Sequence, residues 1–329
     1  MDVVRTIRRA ATVVGVSALA AAAVGIAVHF IGAVSTTVAR LAAFTPLFVG
    51  LAAVAVVLLA SARQRAGATL ATVVLAIGIW SQVPLFTRAP APAAGPSDVT
   101  VRLMQANIRL GEADAATLVR TVTDQRADLL TLIELTPEAV QRLTSAGLDD
   151  VLPYSFLRPR EGGGGAGVFS RFPLRDGALL PGFELNNVTA HADIPGLGPI
   201  AVYALHPLPP YPEPADRWAS ELRKLRGAFA AQELPLIVGA DFNSTYDHRQ
   251  YREMLANSSP GRPQPLVDAA EQLGAGIVAT YPAGRRYPAL LAIDKILTRG
   301  GVPVSLHRID IPGSDHHGVV GDIRFAAPA

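Results

Sequence analysis

A chain of 329 residues in which 50% are hydrophobic and 17% charged is too apolar for an ordinary soluble protein. The absence of cysteine excludes a disulfide framework, thiolate metal sites and cysteine nucleophiles, and leaves the compartment open. Charge is unevenly divided. Residues 1–96 carry seven arginines and one aspartate, net +6, whereas residues 97–329 carry 22 basic and 26 acidic side chains, net −4.

Three apolar stretches fill the N-terminal third: 10–34, interrupted only by His29; 41–60, without charge; and 66–86, with Trp80 near one edge. Each is about 20 residues or longer, roughly what a helix needs to cross ~30 Å of hydrocarbon. They predict a transmembrane region over residues 1–87 with three spans. A cleaved signal peptide fits the first stretch less well, because the run exceeds a signal core and two more apolar runs follow at once. Arg5, Arg8 and Arg9 precede the first span, Arg63 and Arg65 separate the second from the third, and Arg40 stands alone between the first and second. Positive loops stay in the cytoplasm, so the expectation is a multi-pass protein of the cell membrane whose following domain is extracytoplasmic. Residues 88–98, RAPAPAAGPSD, read as a Pro/Ala-rich spacer.

The domain over 99–329 is long enough for one sizeable core. Apolar runs predict strands at 99–107, 129–135, 167–170, 187–194, 200–206, 234–239, 293–298 and 319–324. Helical spacing covers 113–124, 137–146 (with Thr136 as cap and Pro137 at the first helical position) and 215–232. Mixed strands with interspersed helices predict an α/β (α+β) architecture, a four-layer sandwich of two packed mixed β-sheets flanked by helices.

Polar side chains recur where these strands turn into loops. Asn107 ends RLMQAN, Glu134 ends LLTLIE, and His206 ends VYALH. Asp241 and Asn243 follow LPLIVGA, Asp294 enters LAIDKIL, and Asp315 with His316 precedes GVVGDI. Each alone has an ordinary explanation as a turn residue or a satisfied core group. Together they place carboxylate, amide and imidazole at strand ends that converge on one cleft. Oxygen ligands without thiolate suit Mg²⁺ or Mn²⁺. Phosphoester hydrolysis requires this equipment: a cation to neutralise phosphoryl oxygens, a base for water, and imidazole for the transition state or leaving group. Neither GxSxG nor HExxH occurs.

QANI, LIEL, GVFSRFPL, HPLPP, GADFN, IDKIL and SDHHGVV, in this order over residues 99–326, resemble the endonuclease/exonuclease/phosphatase superfamily. The resemblance implies a two-sheet sandwich flanked by helices. It implies that Asn107 and Glu134 bind one or two Mg²⁺ or Mn²⁺ ions, with Asp315 near a second or alternative position. It assigns Asp241 to activating water, Asn243 to steadying phosphate or water, His316 to the scissile phosphate, Asp294 to orienting the His316 ring, and His206 to general acid catalysis. His317 and Gly318 depart from the family pattern, in which Arg, Lys or a small residue precedes a Pro.

For the substrate, a domain of net −4 with two lysines and no basic, aromatic-interleaved stripe disfavours nucleic acid. Tethering about ten residues from a bilayer instead raises the effective concentration of lipid head groups. The order of three spans followed by this domain resembles the VanJ-type membrane proteins of actinobacteria associated with glycopeptide resistance. The expected activity is a phosphodiesterase or phosphatase acting on a lipid or cell-envelope phosphoester. An extracellular or membrane-bound nuclease and a non-catalytic resistance or binding protein are the alternatives. The Pro-rich HPLPPYPEP at 206–214 is expected as a rigid exposed loop, a segment dipping toward the membrane or a cleft wall, and GGGGAG at 162–167 as a flexible loop over the site.

Overall fold

The computed structural model describes residues 2–261 and 264–327. Its first 86 residues are helical: α1 (Asp2–Phe30), α2 (Thr36–Ala43), α3 (Thr45–Ser61) and α4 (Arg65–Phe86). Two of these, α1 and α4, are long and apolar enough to cross a membrane. The stretch expected as a single span over 41–60 is instead a pair of helices bent by 66°, which makes a third crossing only if the pair counts as one span. The break falls at Phe44, with Pro46 in the first turn of α3. Proline has no N–H to donate and is tolerated there because that N–H has no partner within the helix. The first helix also stops at Phe30, short of the expected 34.

Gly15 lies against Leu59 and Gly25 against Phe48, so α1 and α3 run antiparallel. Gly67 lies against Leu59 and Gly78 against both Ile26 and Val49, so α4 runs antiparallel to α3 and with α1. Arg5, Arg8 and Arg9 therefore share one end of the unit with Arg63 and Arg65. The other end carries the sandwich: Arg249 donates to the Phe30 carbonyl (3.0 Å), and the Gly276 N–H donates to that of Leu85 (2.7 Å).

The remaining chain builds two six-stranded mixed sheets. The first has the order β11 (Gly301–Ile309), β12 (Gly318–Phe325), β1 (Val99–Asn107), β2 (Leu129–Ile133), β4 (Ala166–Ser170), β3 (Tyr154–Arg158). The second runs β5 (Leu174–Leu179), β6 (Val188–Ile194), β7 (Gly198–Leu205), β8 (Leu236–Asp241), β10 (Asp294–Arg299), β9 (Val267–Asp268). Only β1/β2 and β7/β8 pair parallel among the described strands.

Side-chain alternation divides the core into layers. Val101 and Leu103 of β1 face Val202, Ile237 and Ile296 between the sheets. Met104 and Ala106 face outward onto α5 (Ala115–Asp124), α6 (Pro137–Ser145) and α7 (Leu148–Val151) through Leu118, Val122, Leu143 and Leu148. On the second sheet, Val238 and Ala240 pack against Trp218, Leu222 and Phe229 of α8 (Ala215–Ala231) and Tyr251 of α9 (Arg249–Ala256). A short α10 (Ala269–Leu273) sits beside the end of α4. This is the four-layer sandwich expected from the strand pattern.

Close approach of the sheets positions the site. A Cβ on Gly239 would fall 2.0 Å from Thr131 Oγ1 and 3.0 Å from Gln105 Cβ. Glycine lets β8 come against β1 and β2, so the C-terminal ends of these three strands, carrying Asp241, Asn107 and Glu134, emerge together.

Candidate active site

Six side chains meet at the strand ends between the sheets. Asp294 opens β10 directly opposite Asp241 at the end of β8. His316 enters from the loop before β12, and its Nδ1 donates to Asp294 Oδ2 at 2.8 Å. Asp241 Oδ2 lies 3.7 Å from His316 Nδ1 and 3.9 Å from His206 Nε2. Asn107 donates from Nδ2 to Glu134 Oε1 (2.9 Å) and to Asp241 Oδ2 (3.3 Å). Asn107, Asp241, Asp294, His316 and His206 are all at most 6% exposed.

Each is held by its own strand end. Glu134 follows β2 with φ 59°, and its Oε2 accepts from the Leu110 N–H at 2.7 Å. Asn243 has φ 49°; its N–H donates to Asp241 Oδ1 at 2.8 Å and its Nδ2 to the Pro207 carbonyl at 3.1 Å. Asparagine adopts that left-handed conformation more readily than most side chains. His206 is locked through its backbone, donating its N–H to Asn187 Oδ1 at 2.7 Å. Its buried Nδ1 has no hydrogen-bond partner among the described residues. Asp315 lines the same cleft but stands apart from the tight cluster of Asp241, Asp294 and His316, whose donor atoms lie within 4.8 Å of one another.

Burial raises the Asp241 carboxyl above its ordinary range, and the neighbouring Asp294 carboxylate raises it further against the pull of both histidines. Burial works against a charged His316, but Asp294, Asp241 and Asp315 outweigh it and push the imidazole up to about 10. Buried carboxylates beside one imidazolium leave a negative centre away from water, which a cation stabilises. Carboxylate oxygens of Glu134, Asp241 and Asp294, with amide and imidazole and no thiolate, form a donor set that fits a hard divalent ion.

Several positioning groups carry no role in the sequence reading. Gln105 Nε2 donates to Asp294 Oδ1 at 3.1 Å, Thr280 Oγ1 accepts from the Asp294 N–H at 3.2 Å, and the Tyr281 ring lies 4.8 Å from that of His316. A signal for Gln105 exists: it is two residues before Asn107 in an apolar strand and so points to the same face. No comparable pattern marks Asn187, Thr280 or Tyr281.

The cleft above the cluster has a volume of about 640 Å³. Pro209, Pro210 and Tyr211 form one wall, which settles the Pro-rich loop as a cleft wall; Ala39, Arg40, Ala43 and Phe44 of the helical unit form another. The glycine run is no flexible cover. Gly163, Gly164 and Gly165 are buried, and a Cβ on Gly165 would lie 1.9 Å from the Leu135 carbonyl oxygen. These glycines exist for close backbone packing beside Glu134.

No curated protein matches this chain. Among solved structures, humanized D. rerio TDP2 carrying 14 mutations aligns at 19% identity and a TM-score of 0.54, over 68% of this chain and 98% of that one. SmcL aligns at 16% and 0.53, over 68% and 99%. A functionally unknown conserved protein from Enterococcus faecalis V583 aligns at 12% and 0.54, over 69% and 100%. At these identities the likeness establishes the sandwich. The Endonuclease/Exonuclease/phosphatase family profile matches residues 104–316, from β1 to His316. The chain therefore belongs to the endonuclease/exonuclease/phosphatase family of hydrolases.

Proposed function

We propose that this protein is a membrane-anchored, divalent-metal-dependent phosphoester hydrolase of the VanJ type, acting outside the cytoplasm on a lipid or cell-envelope phosphoester. The observation that carries this reading is that the buried carboxylate–imidazole cluster opens into a cleft walled on one side by the apolar helical unit. Orientation is supported by the five arginines gathered at the end of the helices remote from the sandwich, where positive charge favours the cytoplasm.

In this reading Asn107 and Glu134 would hold the cation, with Asp315 available for a second or alternative position. A bound Mg²⁺ or Mn²⁺ supplies charge neutralisation at the phosphoryl oxygens. Asp241, whose carboxyl is raised by burial, orients the attacking water and accepts its proton. Asn243 steadies the water or a phosphoryl oxygen. His316, kept charged by Asp294, donates a hydrogen bond to the scissile phosphate, since its protonated ring has Nε2–H free when Nδ1–H is committed to Asp294. His206 delivers a proton to the leaving oxygen.

The test is turnover by the full-length chain in detergent micelles with Mg²⁺ or Mn²⁺. Its substrates are bis-p-nitrophenyl phosphate, phospholipids, a polyprenyl diphosphate and plasmid DNA, with Asp241→Asn as control. EDTA-sensitive hydrolysis of a lipid phosphoester, lost in the control, is the expected result. Absence of EDTA-sensitive turnover on every substrate overturns the hydrolase reading, and DNA cleavage without lipid turnover replaces it with the nuclease.

A further inference from the structure

Arg40 enters the sequence reading only as a lone cation between two apolar stretches. The structure puts it at the catalytic cleft. Its helix α2 is fastened to the sandwich at the preceding residue: Ala39 is buried in the outer core of the second sheet, and its carbonyl accepts from His248 Nε2 at 3.0 Å. Burial pushes His248 down to about 4, so the ring is neutral, carrying its proton on Nε2 while Nδ1 accepts from the Thr245 N–H at 2.9 Å. Arg40 therefore has a fixed base although its own side chain is exposed.

The guanidinium lies over the Tyr211 ring, 4.7 Å from its centroid. Stacking of this kind restrains the planar group and leaves its N–H edges free for a bidentate anion. Among the described residues Arg40 pairs with no carboxylate, whereas Arg109, also lining the cleft, is held by Glu112 at 3.2 Å. Beside this free cation the cleft presents exposed apolar groups. Leu110 is 49% exposed and Tyr211 58%, and Phe44 lines the cleft with them. This border belongs to the same end of α1 and α4 that carries the sandwich. A soluble phosphoester has no use for an apolar rim, whereas a membrane lipid presents its phosphate where polar head and apolar chains meet.

From this juxtaposition we infer that Arg40 is a substrate-binding residue supplied by the helical unit, which holds the phosphate of a membrane-lipid phosphoester entering the cleft from the bilayer side. The inference rests on the phosphoester hydrolase reading and narrows its substrate to a lipid. Phosphate is held by the Arg40 fork, and the apolar chains leave past Phe44, Leu110 and Tyr211.

The experiment compares the full-length chain and its variants in mixed micelles with Mg²⁺. Phosphatidylglycerol and a polyprenyl diphosphate serve as separate lipid arms, and bis-p-nitrophenyl phosphate as the soluble one. Arg40→Gln is expected to raise KM for the lipid that the wild type hydrolyses by about tenfold, the loss of one charge-assisted hydrogen bond, with a smaller effect on kcat. The lipid-to-soluble ratio of kcat/KM falls accordingly, and Arg40→Lys recovers part of it. Added salt raises the wild-type lipid KM and moves that of Arg40→Gln much less. A ratio that stays within about twofold of wild type, whether both activities persist or both fall together, overturns the inference. Should Arg40→Gln fail to fold, Tyr211→Ala removes the ring and keeps the cation; it is expected to give the same KM-selective loss in smaller measure, and its absence is equally fatal. Soluble turnover without lipid turnover by the wild type overturns this inference alone, and no turnover of any substrate overturns the reading beneath it.

Discussion

The sandwich and the helical unit bury opposite kinds of side chain. Inside the sandwich lie Phe169, Trp218, Phe229, Leu103 and Ile296, and its outward positions are largely polar. In the helical unit Ala22, Ala52, Ala55 and Ala71 are fully buried beside a few larger groups such as Ile26 and Leu59, while Val13, Val24, Val57, Ile79 and Trp80 point outward. Water drives large apolar groups inward; helices in an apolar surrounding gain nothing that way and pack through small residues that let backbones approach. The two halves therefore suit different solvents, and among the described residues the polar contacts between them gather along one seam. There Asp247 Oδ1 accepts from His29 Nδ1 of α1 and Gln82 Nε2 of α4, both at 2.7 Å, and all three side chains are buried.

Substitutions can separate the halves. The largest effect is expected inside the sandwich alone: Asp241→Asn should lower turnover by about 10²–10⁴-fold while the melting temperature in detergent does not fall, as removal of a catalytic base does. Asp247→Ala strikes the seam. It strands two buried donors, at a cost of about 2–4 kcal/mol, seen as a lower melting temperature and as protease cleavage between the helices and the sandwich. An unchanged protease pattern would mean that the remaining contacts, among them Arg249 to the Phe30 carbonyl and His248 to the Ala39 carbonyl, dock the two halves without Asp247. Gly165→Ala tests packing beneath Glu134; pushing Leu135 aside should cost about 1–3 kcal/mol in thermal unfolding and reduce activity with it.

The smallest effect concerns pH at the edge of the seam. Burial first, and then the charge of Asp268, push Glu271 up from 4.5 to about 8, against Lys295 and Arg252. Its protonated form is favoured in the fold, so the stability it contributes is present below pH 4.5 and is lost as pH rises through about 8. Glu271→Gln should therefore raise the melting temperature at pH 9 relative to wild type more than at pH 5. A gain that does not vary with pH would remove Glu271 from the account.

The central strands were legible because β2, β7, β8 and the second half of β1 are largely apolar on both faces, and their polar ends stand out against that background. Edge strands β3, β5 and β11 were not. Being half-exposed, Tyr154–Arg158 and Leu174–Leu179 lack the apolar run, and β11 contains Pro303, His307 and Arg308. Pro46 carried a signal for the break between α2 and α3, but the surrounding hydropathy hides it when length is the criterion. Asn107, Glu134, Asp241, Asp294 and His316 were each visible as polar residues at strand ends. That they form one buried cluster, with Gln105, Asn187 and Thr280 holding it, depends on Gly239 bringing two sheets together.

Alternating apolar and polar positions are written into the chain, and with them the layers of the sandwich, the apolar helices and the chemistry available at the strand ends. Those properties are local, set by residue type and a period of two or 3.6. Long-range packing placed α2 aside as a wall of the cleft, set Arg40 over Tyr211 with no carboxylate partner among the described residues, and joined two helices to the sandwich through Asp247. These pairs are separated by more than 160 residues of chain, and no periodicity records which distant side chains will share a boundary.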